Sequence, residues 1–245
     1  MDAKIDMGRV VSRGFQVIGR HALPFIGLAL LLGVLPTFLT YRFLIGNLEI
    51  GAAMFLSPFY WLSTLISLIC TYLLQATLVR SSILELSGRG PDVGGSLAMA
   101  VKLLLPMIGI AILTTMIVGI GMMLLVVPGI IAYIMLIVAV PVLVEERNGV
   151  IGSMQRSRAL TKGSRWRILV LLLLFGIIYF AVSMLATFAL GAIGIGSALD
   201  AMAVVQSLTG GIVALIVGAM LASLYVELRT VKEGATPDGL ADIFA

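Results

Sequence analysis

Charged residues, cysteine and histidine are all scarce in this chain of 245 residues. Charged side chains make up 11% of it, whereas 60% of the residues are hydrophobic and the mean hydropathy is +1.16. A soluble domain has about 25% charged residues. The one cysteine, Cys70, cannot form an internal disulfide, and the one histidine, His21, lacks the further histidine or cysteine ligands that a zinc site requires. We therefore expect an integral membrane protein with no cofactor and no metal.

The excess of basic residues has a different meaning here from the one it has in a soluble chain. The formal net charge is +4, but the basic residues lie between long apolar runs. That placement indicates positions beside a membrane and argues against a nucleic acid partner. The first 22 residues are amphipathic and basic, and no A-x-A site precedes the first long apolar run. We therefore predict no cleavable signal peptide.

Six apolar runs are long enough to cross about 30 Å of hydrocarbon at about 1.5 Å per residue. We place them at residues 23–43, 60–79, 103–125, 129–144, 168–195 and 201–226. The third and fourth come from one uncharged run, Leu103 to Val144, which must turn between Gly119 and Gly129. We favour a turn near Pro128, because proline is accommodated at a helix start.

Short amphipathic segments alternate with these runs and are typical of helices that lie at the membrane surface. We place them at residues 6–22, 93–102 and 150–163, and we interpret residues 231–245 as a cytoplasmic tail. LPFIGLA at Leu23 is echoed by LPMIGIA at Leu105, each after a short surface segment. The predicted fold is thus an all-α integral membrane domain over residues 1–230, with six transmembrane helices in three hairpins.

The basic residues also predict an orientation. If the N-terminus is cytoplasmic, Arg42 alone of the 16 Lys and Arg residues lies outside. The positive-inside rule then places both termini in the cytoplasm. We expect a bacterial-type inner membrane.

Four stretches of sequence resemble a known family. They are PGI at Pro128, PVLVEE at Pro141, RSRALTKGSRWRI at Arg156 and LYVELRTVKEG at Leu224. The chain resembles the membrane domain associated with glycerophosphoryl diester phosphodiesterases and the related YciC-like bacterial inner-membrane proteins. The resemblance implies a six-helix membrane module without a settled function. It also implies that catalysis, where present, belongs to a separate soluble domain that this sequence does not contain, so we do not expect an enzyme.

The basic stretch before the fifth apolar run is the first candidate site. Its candidate headgroup-binding residues are Arg156, Ser157, Arg158, Thr161, Lys162, Arg165 and Arg167. On a helical projection Val150, Ile151, Met154 and Thr161 share one side. Arg156 lies nearly opposite that side, and Arg158 lies at its edge, where a guanidinium can contact a lipid phosphate. The alternative is that these charges only fix topology and solvate a surface helix.

Two sets of small or polar residues are candidate helix contacts. One is a polar face of the second run, and the other is a small-residue stripe on the last run. The polar face is Ser63, Ser67, Thr71 and Gln75, and the stripe is Ser207, Gly211, Ala214, Gly218 and Ala222. For the polar face we favour packing over a groove. The stripe packs either within the bundle or between protomers.

Carboxylates outside the apolar runs offer one further candidate. Glu145 and Glu146 are adjacent, and we interpret them as a solvated helix end paired with Arg147 nearby. We do not expect them to be an acid–base pair. Within the six runs no Asp, Glu, Lys or Arg lies in mid-span, which disfavours ion-coupled transport.

Three functions remain open from the sequence. We favour a non-enzymatic membrane protein that binds, senses or organises anionic phospholipids at the cytoplasmic leaflet. The second is a scaffold or accessory subunit that acts through helix–helix contacts with itself or with a membrane partner. The third and weakest is a passive channel or transporter.

Overall fold

The computed structural model describes residues 5–46, 56–193 and 198–234. These ranges are almost entirely helical and contain no strand. In chain order the helices are α1 (Met7–Arg20), α2 (Ala22–Ala29), a π-helical segment (Leu30–Val34), α3 (Leu35–Gly46), α4 (Pro58–Leu86), α5 (Val93–Lys102), α6 (Leu104–Leu124), α7 (Val126–Leu136), α8 (Ala139–Glu146), α9 (Gly149–Thr161), α10 (Arg165–Ile193) and α11 (Ala198–Glu233).

Six helical stretches in the described ranges are long and apolar enough to cross a membrane. They are Ala22–Phe43, Pro58–Leu86, Leu104–Leu124, Val126–Glu146, Arg165–Ala189 and Ala203–Glu233. The predicted all-helical fold with six such helices is confirmed. The short helices α1, α5 and α9 each precede one of the long helices by one to three residues.

The third and fourth long helices are separated by a single extended residue. Leu125 has φ −163° and ψ 147°, and α7 begins directly after it at Val126. The predicted start at Gly129 is therefore three residues late, and Pro128 lies inside the first turn of the helix. The two helices approach so closely that a Cβ on Gly121 would lie 2.9 Å from the Gly129 Cα.

The first long helix contains a π-helical turn just before Pro36. The Leu35 N–H bonds the Leu30 carbonyl oxygen, one residue further back than in an α-helix. Proline has no N–H and its ring presses on the carbonyl four residues earlier. The wider turn accommodates this crowding within a continuous helix.

The last helix, α11, lies at the centre of the structure, whereas α10 lies at its margin. In the most apolar part of α11, 72% of the residues are buried, whereas in that of α10 11% are buried. α11 contacts α1, α3, α4 and α10. It also continues to Glu233, so the predicted end at residue 226 is too early. Buried Leu228 and an Arg229–Glu233 pair at 3.1 Å sustain the extra turns.

Candidate functional site

Glutamates lie at the C-terminal ends of three long helices. They are Glu85 on α4, Glu145 and Glu146 on α8, and Glu227 and Glu233 on α11. A carboxylate near a helix C-terminus is disfavoured by the helix dipole. Each therefore needs a nearby cation, and arginines supply it. We call these five glutamates and their arginine partners the charged layer.

α1 supplies the cations for two of these glutamates. Glu227 is 1% exposed and accepts hydrogen bonds from Arg13 Nη1 at 3.1 Å and from the Asp6 N–H at 3.4 Å. Arg9 lies 3.5 Å from the same carboxylate. At the other end of α1, Arg20 contacts Glu85 at 3.3 Å. Arginines expected to mark only topology thus hold α1 against α4 and α11.

α9 supplies the partner of the α8 and α11 carboxylates. Arg156 Nε donates to both Glu146 oxygens at 3.0 and 3.2 Å, and its Nη2 contacts Glu233. The Tyr225 hydroxyl donates to Glu146 Oε1 at 3.0 Å. One arginine therefore joins three helices through a network of charge-assisted hydrogen bonds.

The expected solvation of Glu145 and Glu146 is wrong. Their side chains are 13% and 17% exposed. Glu145 lies 3.7 Å from Arg80, and Glu146 pairs with Arg156 rather than with its neighbour Arg147. The helix end itself is where we predicted it, because α8 stops at Glu146. The partners are distant in sequence, so local spacing gave no signal for the pairs.

His21 also joins the charged layer, which the sequence did not indicate. Its Nε2 lies 3.1 Å from Glu85 Oε2, beside the Arg20 contact to the same carboxylate. Within the described ranges no three His, Cys, Asp or Glu side chains converge as metal ligands.

The structure separates the seven predicted headgroup-binding residues into two groups. Four of them are engaged inside the protein. Besides Arg156, Ser157 Oγ donates to the Met135 carbonyl oxygen at 2.8 Å, Thr161 Oγ1 donates to the Ser157 carbonyl oxygen at 3.0 Å, and Arg167 contacts the Ile5 carbonyl oxygen. Ser157 and Thr161 are fully buried. These four side chains hold α9 and the chain start in place.

The other three, Arg158, Lys162 and Arg165, have no carboxylate partner among the residues that the structure describes. Arg158 and Lys162 are exposed, and Arg165 is half-buried with an Nε that lacks a hydrogen-bond partner. Lys232 approaches the same place, since its Nζ would lie 3.7 Å from a Cβ on Gly163. We call Arg158, Lys162, Arg165 and Lys232 the basic edge.

The chain geometry of the basic edge depends on Gly163. Gly163 has φ +87°, a conformation that L side chains rarely adopt, and it turns the chain from α9 into α10. Trp166 follows directly and is 77% exposed. The turn is thus followed directly by Arg165, Trp166 and Arg167 in the first turn of α10.

The predicted apolar side of α9 is wrong in one respect. Ile151 is exposed and lies on the same face as Arg158. The buried face carries Ser153, Met154 and Ser157 instead. Small hydroxyls suit this face because α9 packs closely on α6, α7 and α8.

The predicted polar face of the second run does not form a groove. Ser63 and Thr71 donate to backbone carbonyl oxygens of their own helix, at 3.1 and 2.8 Å. Ser67 Oγ lies 3.0 Å from Thr40 Oγ1 of α3. Thr71 is exposed, although we expected the polar face to pack against a neighbouring helix. Gln75 is partly buried and makes no side-chain hydrogen bond in the described ranges.

The small-residue stripe of α11 faces the inside of the same chain. A Cβ on Gly211 would overlap Val34 Cγ2, and one on Gly218 would lie 2.8 Å from Leu78 Cβ. Ser207 and Ala222 are fully buried, and Ala214 packs against the same core. Close approach to the first and second long helices explains the small residues.

Comparison of this chain with protein-family models, with curated proteins and with solved structures finds no match.

Proposed function

We propose that this chain is a non-enzymatic membrane protein that binds anionic phospholipids through its basic edge. In this proposal the six long helices form three transmembrane hairpins, and α1, α5 and α9 lie at the cytoplasmic surface of a bacterial-type inner membrane. The positive-inside rule supports the orientation, because Arg42 is the one basic residue on the other side. Membership of the phosphodiesterase-associated membrane family belongs to the same proposal and adds no support to it.

The observation that carries the proposal is the contrast among neighbouring cations. Arg9, Arg13, Arg20, Arg80, Arg156 and Arg229 each meet a carboxylate of the charged layer. The four cations of the basic edge meet none within the described ranges. Structural pairing accounts for the first set and leaves the second available to an external anion.

The chemistry of the basic edge fits a phosphate at a membrane surface. A guanidinium forms bidentate contacts with phosphate, and an ammonium adds a compact charge. α10 begins at Arg165, so the positive end of its dipole favours an anion at the same place. Exposed Trp166 suits the interfacial depth at which lipid phosphates lie.

Lipid retention measured by native mass spectrometry tests this proposal. The protein is released from membranes with equal amounts of phosphatidylglycerol and phosphatidylcholine of the same chains. A basic residue beside an anionic surface contributes about 1 kcal/mol, so Arg158→Gln with Lys162→Gln is expected to weaken phosphatidylglycerol binding about 25-fold. The melting temperature is expected to stay the same, since both side chains are exposed and unpaired in the described part of the chain.

Lys102→Gln is the matched control. Lys102 is exposed and ends α5, outside the basic edge. Loss of this single surface charge is expected to weaken phosphatidylglycerol retention by at most about fivefold. Equal losses in the two variants, or equal retention of the two lipids by the unaltered protein, would contradict the proposal.

No contact in the described structure favours the scaffold function in the same way. Its predicted surface was the small-residue stripe of α11, and that stripe is occupied by α4 and the first long helix.

A further inference from the structure

A cavity of about 350 Å³ lies between five of the long helices. Its walls come from α4, α6, α7, α10 and α11, and each of these helices contacts the next around the cavity. The polar side chains that line it are Tyr72, Gln75, Thr114, Thr115 and Tyr133. The other lining residues are apolar, and none carries a charge. We call this space the central cavity.

The polar side chains of the central cavity lie at mid-depth of their helices. Thr114 and Thr115 are the middle residues of α6, about 15 Å from either end at about 1.5 Å per residue. Tyr133 is near the middle of the stretch Val126–Glu146. In a membrane this depth is hydrocarbon, where an unsatisfied polar group is costly.

These polar side chains have no hydrogen-bond partners among the residues that the structure describes. In the ranges described, none of the five donates or accepts a side-chain hydrogen bond, and Thr114 Oγ1 is fully buried. Other threonines in the long helices behave differently. Thr37, Thr77 and Thr209 each donate to a carbonyl four residues earlier, at 2.6 to 2.8 Å.

This contrast points to an occupant. A buried hydroxyl without a partner costs about 1–3 kcal/mol, and Thr114 Oγ1 is such a group. The other four polar side chains line the same cavity from α4, α6 and α7. A charged headgroup does not fit, because burying a charge without a counter-charge is far more costly. The fitting ligand is apolar over most of its surface and carries several uncharged hydrogen-bonding groups.

We propose that the central cavity is a binding site for an uncharged glycerolipid, a diacylglycerol. Its ester carbonyls accept hydrogen bonds from the threonine and tyrosine hydroxyls, and its free hydroxyl pairs with the Gln75 amide. The acyl chains contact the apolar wall, which includes Phe175 and Leu221. A long-chain alcohol offers one polar group and would leave most of the five side chains without partners.

Lateral entry is consistent with the exposure of the lining residues. Tyr133 is 46% exposed and Thr115 is exposed as well, so the polar wall reaches the outer surface of the helices. A lipid can therefore enter from the bilayer without passing the charged layer. The site is separate from the basic edge and does not depend on lipid binding there.

Photolabelling in bilayer nanodiscs tests the proposal. The probe is a diacylglycerol with a diazirine on one acyl chain, and the labelled peptides are mapped by mass spectrometry. Labels are expected on the cavity-lining segments of α6, α7 and α10. Unlabelled diacylglycerol is expected to compete about tenfold better than phosphatidylglycerol with the same chains, a difference of about 1.4 kcal/mol.

A matched pair of alanine-to-phenylalanine substitutions locates the site. Ala111 lines the cavity, and Ala181 is exposed on α10 away from it. Ala111→Phe projects a ring into the cavity and is expected to reduce labelling at least about fivefold. Ala181→Phe is expected to leave it unchanged. Should Ala111→Phe fail to fold, Thr114→Val with Thr115→Val removes both hydroxyls at nearly constant volume and is expected to abolish the preference for diacylglycerol.

Three results would overturn the proposal. The first is labelling that is spread over the exposed apolar side chains and is equal in Ala111→Phe and Ala181→Phe, which means contact with bulk lipid only. The second is equal competition by phosphatidylglycerol, which means that the uncharged headgroup is not recognised. The third is an absence of labels from the cavity-lining peptides, which means that the cavity holds water.

Discussion

The charged layer and the central cavity are both polar, but their side chains are satisfied differently. In the charged layer each glutamate has an arginine within 3.7 Å, although the partners are up to 218 residues apart in sequence. In the central cavity five uncharged side chains have no protein partner among the described residues. Paired groups stabilise the fold, whereas unpaired groups remain available to bind. Substitutions that remove one group at a time are expected to separate the two cases.

The largest effect is expected in the charged layer at Glu227. Glu227→Ala removes the carboxylate that pairs with Arg13 and leaves Arg9 with Asp6 alone, at 3.7 Å. The free energy of unfolding is expected to fall by about 3 kcal/mol, measured by denaturation in mild detergent. Glu233→Ala is the comparison, because Glu233 is 29% exposed and more solvated. Its expected loss is below about 1 kcal/mol, and equal losses would contradict the distinction.

A smaller effect is expected at Tyr225. Its hydroxyl donates to Glu146 and its side chain is fully buried. Tyr225→Phe removes this hydrogen bond and the longer one that the hydroxyl accepts from Arg229 at 3.4 Å, and it is expected to cost about 2 kcal/mol. Tyr179→Phe serves as the control, since Tyr179 is exposed on α10. A matching decrease in melting temperature for both variants would show that the hydroxyl bond contributes nothing particular.

A substitution at Gly218 tests the packing of α11, the helix that belongs to both the charged layer and the central cavity. α11 carries Glu227 at one end and lines the central cavity through Val217 and Leu221. A Cβ at position 218 would press on the backbone-proximal Cβ of Leu78, so Gly218→Ala is expected to destabilise by about 1–2 kcal/mol. Gly210→Ala on the same helix meets nothing within 4 Å. Thermal unfolding should show it to be as stable or more stable, because alanine is the better helix former.

The smallest and most discriminating effect is expected at Thr114. Thr114→Val removes a buried hydroxyl that has no partner and is expected to raise stability by about 0.5 kcal/mol. Thr77→Val removes a hydroxyl bonded to the Leu73 carbonyl oxygen at 2.6 Å and is expected to lower stability by about 1 kcal/mol. Denaturation of lipid-free protein measures both. The same sign for both would remove the distinction between partnered and unpartnered hydroxyls.

The helical architecture could be predicted because membrane thickness and hydropathy act locally along the chain. Residues 93–102 were predicted as a short helix, and α5 has these bounds. The end of α11 was missed because the apolar run stops at Val226 and charged Glu227 follows it. Its burial depends on Arg13, which is 214 residues away.

The sequence predicts where the candidate site lies but not which residues belong to it. A basic stretch between apolar runs identifies the α9–α10 connection. The sequence did not indicate which arginines are already paired, because Arg156 meets carboxylates of α8 and α11, and Arg158 two residues later meets none within the described ranges. The central cavity was not predicted at all. Its five polar side chains come from three helices, and of these five only Gln75 belongs to the predicted polar face with Ser63, Ser67 and Thr71.

The exposed Trp166 has a consequence for measurement. The chain contains two tryptophans, and they lie at opposite ends of the long helices, Trp61 in the first turn of α4 and Trp166 in the first turn of α10. α4 reaches Glu85 of the charged layer 24 residues after Trp61, a rise of about 36 Å. Fluorescence quenchers held at a known depth in one leaflet therefore distinguish the two indoles. Quenching of the two native tryptophans therefore measures the depth and orientation of the protein in a bilayer.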